Sequence, residues 1–186
     1  MITISLKAKS QQFLIPETAI IQHAGSIGYF SIGGGYELFQ KKKGSLDLAW
    51  GYVPKSKGGS QHIIAAKFAY RPISIKIKDI TTINLFNPGV FFSYHPGDKY
   101  YITLNKEQYP KGYYWWSSAI RMHISLSTEF KFKTSRNTSN SRIKHLSIYS
   151  EINTNDLYFV SYFPNQEYLN ISDIIKLGLG IKAYFR

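Results

Sequence analysis

Apolar and polar residues alternate one by one along most of this chain. From Asp173 to Phe185, Ile175, Leu177, Leu179, Ile181, Ala183 and Phe185 fall on one face. Lys176, Gly178, Gly180, Lys182 and Tyr184 fall on the other. That period of two is the signature of a strand with one apolar face. It recurs from Ala119 to Phe132, where Ile120, Met122, Ile124, Leu126, Phe130 and Phe132 alternate with Arg121, His123, Ser125, Ser127, Glu129 and Lys131. Leu46, Leu48, Trp50 and Tyr52 oppose Asp47, Ala49, Gly51 and Val53; Ile64, Ala66, Phe68 and Tyr70 oppose Ala65, Lys67, Ala69 and Arg71. Further strands are predicted at Gly28 to Phe39, Thr82 to Tyr94, Arg142 to Ile152 and Asp156 to Phe163, bringing the number to eight. Turn-rich stretches separate them: Gln40 to Gly44, Pro54 to Ser60, Pro72 to Thr81, His95 to Gly112, Thr134 to Ser141, Asn153 to Asn155 and Pro164 to Ser172.

No helical stripe of convincing length and no boundary between two domains interrupts this rhythm. The expected fold is all-β: a single closed, antiparallel, up-and-down barrel of about eight strands formed by residues 28–186. Residues 1–27 form an N-terminal segment in which Thr18 to Ala24 is a candidate addition to the first strand. The 15 Tyr and 12 Phe of the 186 residues suit half-buried, pleated surfaces. With no cysteine, disulfides, thiolate metal sites and a Cys nucleophile are excluded.

Alternation alone fits a soluble barrel or sandwich with its apolar face inward as well as a membrane barrel with that face outward. The polar face mixes Gly33, Gly35, Gly51, Gly89, Gly178 and Gly180 with charges of both signs. Small residues and pairable charges suit a narrow lumen, where Glu37, Asp47, Glu129 and Glu151 are expected to meet Lys67, Arg121, Lys176 and Lys182. Aromatic residues gather towards strand ends, as in Trp50 with Tyr52, Phe68 with Tyr70, Tyr113 to Trp116, and Phe185, which is where a membrane interface would place them. A strand of about 9–11 residues, tilted near 45°, crosses a hydrocarbon core. The reading is therefore a transmembrane barrel of outer-membrane type, a monomer with a lumen too narrow for a general pore. Met1 to Ser10 has no apolar run of the length an export signal needs. That leaves open a mature chain, a truncated or misassigned start, or a barrel that is not in a membrane.

The segment from Lys176 to Phe185, KLGLGIKAYF, resembles the closing strand of bacterial outer-membrane barrels, differing by Arg186 after the aromatic residue. The resemblance implies recognition by the barrel-assembly machinery. Gly28 to Tyr36, with Leu48 to Tyr52, is similar to the opening hairpin of small barrels from Bacteroidetes-type bacteria. The implied location is a bacterial outer membrane, with outer-membrane lipid and lipopolysaccharide as partners.

His145, Ser147 and Glu151 share one strand face, and a serine, a histidine and a carboxylate can form an activated nucleophile. The His-x-Ser pair resembles that of the lipid A 3-O-deacylase barrels. The resemblance implies Ser147 as nucleophile, His145 as base, and Glu151 or Asp156 as orienter. Ile148 replaces the family's Asn after the serine, Phe159 lies near the place of its Glu, and the alternation turns His145 and Ser147 to the lumen rather than to lipid. A second pair, His123 and Ser125 with Glu129 on the same face, shows how a polar lumen repeats such spacings. No histidine pair has metal-ligand spacing, and Gly33 to Gly35 lacks the Lys and the following helix of a phosphate loop, so no metal or cofactor is expected.

The formal charge of +12 comes from basic runs at Lys41 to Lys43, Lys55 with Lys57, Lys76 with Lys78, and Lys131 to Arg142. On an outer-membrane barrel they could pair with lipopolysaccharide phosphates. The resulting expectation is a structural or surface-interaction role without a defined catalytic activity, exerted through Pro72 to Thr81, His95 to Gly112 and Pro164 to Ser172. The alternatives are a lipid A deacylase-like hydrolase and a soluble basic barrel that binds a small ligand or nucleic acid.

Overall fold

The computed structural model describes residues 15–97, 117–134 and 142–185. The alternating segments become nine strands: β1 Thr18–Ala24, β2 Phe30–Leu38, β3 Gly44–Val53, β4 Gln61–Tyr70, β5 Ile73–Ile77, β6 Thr81–Tyr94, β7 Ile120–Lys133, β8 His145–Asn155 and β9 Lys176–Tyr184. Neighbours along the chain pair antiparallel, except β4 and β5, which both pair with β6. β1 joins β9, as in Ile21↔Ile181, and β4 joins β6, as in Ala66↔Phe92. These two contacts close β1, β2, β3, β4, β6, β7, β8 and β9 into an eight-stranded barrel.

The number eight stands, but one of its members differs from expectation. Asp156 to Phe163 is not a strand: helix α1 occupies Asp156–Tyr162. Asn155 ends β8 and its side chain accepts a hydrogen bond from Tyr158 N at 2.8 Å, satisfying an otherwise unpaired donor of the first turn. Leu157 and Val160 then lie three apart, a spacing that fits a helix as well as a strand. A second short helix, α2, spans Ile171–Ile174 and is held by a capping box between Asn170 and Asp173. The missing strand is supplied by Thr18–Ala24, which stands alone between β2 and β9.

β5 lies within the stretch expected to be a turn, Pro72 to Thr81. It prolongs β4 along β6 without a slip in register, since Ala69↔Gly89 is followed by Ile73↔Leu85 and Ile77↔Thr81. The last tie to β3 is Arg71 N donating to Lys43 O at 2.7 Å, and Pro72, which has no N–H, comes where that ladder has ended. On the other side, β6 carries a bulge between Asn84 and Asn87 against β7. Phe86 takes φ 50° there and turns outward, and the extra residue lets both Asn84 and Asn87 face the lumen despite their odd spacing.

The added β1 also decides which connections share an end. The start of β1 and the end of β9 lie together, as Thr18↔Tyr184 shows. With them lie the β2–β3, β5–β6 and β7–β8 turns, residues 39–43, 78–80 and 134–144. The opposite end carries the two longest connections, 95–119 and 156–175, together with 25–29 and 54–60. The connection that begins at His95 is therefore opposite the termini.

The apolar face points outward. Ile21, Ile32, Leu48, Ile124, Ile148, Leu179 and Ile181 form an exposed aliphatic belt at mid-height. Phe30, Trp50, Phe92 and Tyr94 flank it towards the end away from the termini, and Phe39, Tyr70, Phe130, Phe132 and Phe185 flank it towards the other. Tyr113 to Trp116, expected to join such a ring, lie outside the described residues.

Candidate functional site

The inward positions hold the charges. Lys67 Nζ donates to Glu151 Oε2 at 2.9 Å and Lys182 Nζ to Asp47 Oδ2 at 2.7 Å. Arg71 faces Glu129 at 3.4 Å and Glu37 at 3.6 Å, and Lys131 reaches Glu37 at 3.4 Å. Among the described residues, four lumen cations (Lys67, Arg71, Lys131, Lys182) thus meet four anions (Glu37, Asp47, Glu129, Glu151), a net charge of zero. Each pair spans different strands, so the lumen is cross-linked electrostatically, and burial makes an unpaired member costly. Gly35 makes room for one of them, because a Cβ there would occupy the place of the Asp47 carboxylate.

Two of the lumen pairs join residues picked out in the sequence, Asp47 with Lys182 and Glu151 with Lys67. Arg121 instead faces Asp156 at 3.9 Å near the end away from the termini. Lys176 is exposed, donating to Asp173 O at 3.5 Å and lying over the Tyr158 ring. Their places in the lumen are taken by Arg71 and Lys131, whose polar-face positions were visible in the alternation but whose partners lie too far along the chain to read.

Glu129 is the hub. It accepts from Ser147 Oγ at 2.6 Å, from Asn84 Nδ2 at 3.0 Å and from the Tyr184 hydroxyl, while Arg71 lies alongside. Ser147 is fully buried and its hydroxyl proton is directed to this carboxylate. His145 lies two residues away on β8, paired in register with Lys133 and Tyr184, and its Nδ1 has no hydrogen-bond partner. Glu151 is taken up by Lys67, and Asp156 is at the far end of β8, capping Leu157 N at 2.8 Å. The structure therefore sets His145, Ser147 and Glu151 on one strand, with the serine and the carboxylate bonded to other strands rather than to His145.

A different serine is flanked by imidazoles. Ser93 Oγ, near the end away from the termini, lies 2.8 Å from His123 Nε2 and 3.1 Å from His95 Nε2. Gln61 Nε2 meets His95 Nδ1 at 2.7 Å. An amide nitrogen can only donate, so His95 Nδ1 accepts and His95 Nε2 carries the proton given to Ser93. The Ser93 hydroxyl then donates to His123 Nε2, which leaves the His123 proton on Nδ1, buried and unpartnered. Burial, and then the charge of Arg121, hold the His95 imidazole below its ordinary range. The sequence signal for this chain was Ser93-x-His95, the reverse of the His-x-Ser order that drew attention to β7 and β8.

Beneath this chain the lumen becomes apolar. Ile27, Ala65 and Phe91 pack together, and His123 stacks on Phe91 at 4.1 Å. In the charged region the residual cavity is about 30 Å³, lined by Asp47, Lys67, Arg71, Glu129, Glu151 and Lys182 among others. That is space on the scale of single waters, not of a passing solute. Among the described residues no group of three or more His, Asp or Glu side chains is placed to hold a metal ion. No family model, no curated protein and no solved structure matches the chain.

Proposed function

We propose that this chain is a membrane-spanning barrel of the outer-membrane type, sealed along its axis, that serves as a scaffold for interactions through the connections at its two ends. The observation that carries this reading is the inverted distribution of polarity, with an aliphatic belt outside and a neutral ion-pair network inside. In water the belt would be one continuous apolar surface, far beyond what soluble monomers expose. In a bilayer it is ordinary, and the aromatic residues above and below it match interfacial girdles. β2, β3, β4, β8 and β9 have 9 to 11 residues each, the length a tilted crossing needs. The closed ladder leaves no strand edge along the belt.

The same reading makes β9, which pairs with β1 and ends at Tyr184, the strand offered to an assembly machinery. It also makes Ser147 a structural group, since its proton is already committed to Glu129. The experiment is migration on a gel, unheated against boiled, after refolding into neutral detergent micelles, together with conductance in a planar bilayer. A heat-modifiable band with no channel activity is expected. A stably folded monomer in plain buffer, with no shift, overturns the membrane reading and restores the soluble barrel. Steady ion conductance overturns the sealed lumen.

A further inference from the structure

Because the lumen is neutral, the surplus positive charge lies on the ends, and it is unevenly divided. At the terminus end every connection is basic: Lys41 and Lys43 in the β2–β3 turn, Lys76 and Lys78 on the β5–β6 hairpin, and Lys133, Arg142 and Lys144 around the β7–β8 turn. All seven are exposed. Lys42 is spent on Glu37, at 2.6 Å. The acidic groups beside them are Asp79, which is exposed, and Glu17, which is half-buried. At the opposite end the described residues nearly balance: Lys55, Lys57 and Lys176 against Glu167 and Asp173, with Arg121 facing Asp156.

The basic side chains also stand at a particular height. Lys41 and Lys43 follow Phe39, and Lys133 follows Phe132, so these cations lie next to the aromatic ring at that end, while Lys76 and Lys78 stand on the hairpin that continues past Tyr70. They are distributed over all three turns, around the perimeter, rather than along one strip. A nucleic acid or an acidic peptide would be met by a contiguous track; a ring at the level just beyond the aromatic girdle is met by a surrounding bilayer.

We infer that this basic rim binds the anionic glycerophospholipid headgroups of the leaflet around the terminus end. The inference rests on the membrane reading above and adds a leaflet and a lipid class to it. The connections at this end are 39–43, 78–80 and 134–144, whereas the other end has connections as long as 95–119 and 156–175. Short turns mark the inner side of an outer-membrane barrel. The rim therefore faces phospholipid, and among the described residues Lys55, Lys57 and Lys176 are the exposed lysines at the other end. Each engaged cation near a charged surface should favour the anionic lipid about fivefold.

The test uses the whole folded chain in mixed micelles holding equal amounts of phosphatidylglycerol and phosphatidylcholine, with retained lipids counted by native mass spectrometry. Phosphatidylglycerol should be retained at least about fivefold over phosphatidylcholine, with the advantage lost at high salt. A variant with Lys41→Gln, Lys43→Gln, Lys76→Gln and Lys78→Gln should lower the ratio several-fold, with Lys133, Arg142 and Lys144 keeping part of the preference, while Lys55→Gln with Lys57→Gln should leave it unchanged. These substitutions are on exposed side chains, and the heat-modifiable band in neutral micelles checks that each variant folds. Folding in neutral micelles with no preference for the anionic lipid overturns the rim alone. An equal loss in the Lys55/Lys57 variant, or rim-dependent preference for lipopolysaccharide over phosphatidylglycerol, also overturns it. Absence of any heat-modifiable form overturns the membrane reading and the rim with it.

Discussion

Ser147 and Glu129 illustrate how far a side chain's role depends on partners from distant strands. On β8 alone, Ser147 sits between a histidine and a glutamate and looks like a nucleophile. In the barrel it is one of three donors to Glu129, whose carboxylate also lies beside the Arg71 guanidinium. The two substitutions should therefore differ in size. Glu129→Ala leaves Arg71 with the more distant Glu37 carboxylate and the Lys42 and Gly44 carbonyls, and should cost about 3–5 kcal/mol. Ser147→Ala removes one charge-assisted hydrogen bond and should cost roughly 1.5–3 kcal/mol. Urea titration of the folded band in micelles measures both. A double-mutant cycle should show the pair coupled, because the value of the serine hydroxyl depends on the carboxylate that receives it. If Ser147→Ala were as costly as Glu129→Ala, the serine would have to hold more than this one bond.

At the scale of elements, alternation carried the fold wherever the strand had one apolar face. β3, β7, β8 and β9 were legible because Leu46 to Tyr52, Ile120 to Phe132, Leu146 to Ile152, and Leu177 to Phe185 each repeat the period several times. β1 is short, and Asp156-Leu-Tyr-Phe-Val160 fits both periods, so only the Asn155 cap distinguishes helix from strand. Pro72 hid β5 because a proline usually ends a ladder; here it ends the one with β3 while β6 continues on the other side. The individual lumen pairs were partly legible as a face of mixed charge, but pairing partners such as Arg71 and Glu129 are set by closure of the barrel, which no local pattern encodes. The β1–β2 turn makes the same point at closer range. Ile27 packs into the lumen mouth with its carbonyl against Gly51, and a Cβ on residue 51 would fall on that oxygen. Gly51→Ala should displace the turn and cost about 1–3 kcal/mol, read as a lower urea midpoint. An unchanged midpoint would mean that the turn can move away freely and that Ile27 is not a fixed plug.

For the whole molecule, on the proposed membrane reading, the neutral lumen constrains how the chain would enter a bilayer. Lys182 meets Asp47 and Lys67 meets Glu151 across sequence separations of 135 and 84 residues. A hairpin inserted alone would lack the counter-ions these groups meet in the finished barrel, with only register neighbours such as Asp47 and Lys67 left to face each other. Stepwise entry, one hairpin after another, is thereby penalised at every stage until the partners arrive. The chain should instead cross as a nearly complete sheet that closes β1 onto β9 during passage. Protease digestion at intervals during refolding into vesicles should accordingly yield either fully protected or fully degraded chain, with no protected fragments of intermediate length. Discrete fragments would point to hairpins that tolerate isolated charges in the bilayer. The ion pairs that seal the finished barrel would then double as a timing device, making the membrane admit this protein all at once or not at all.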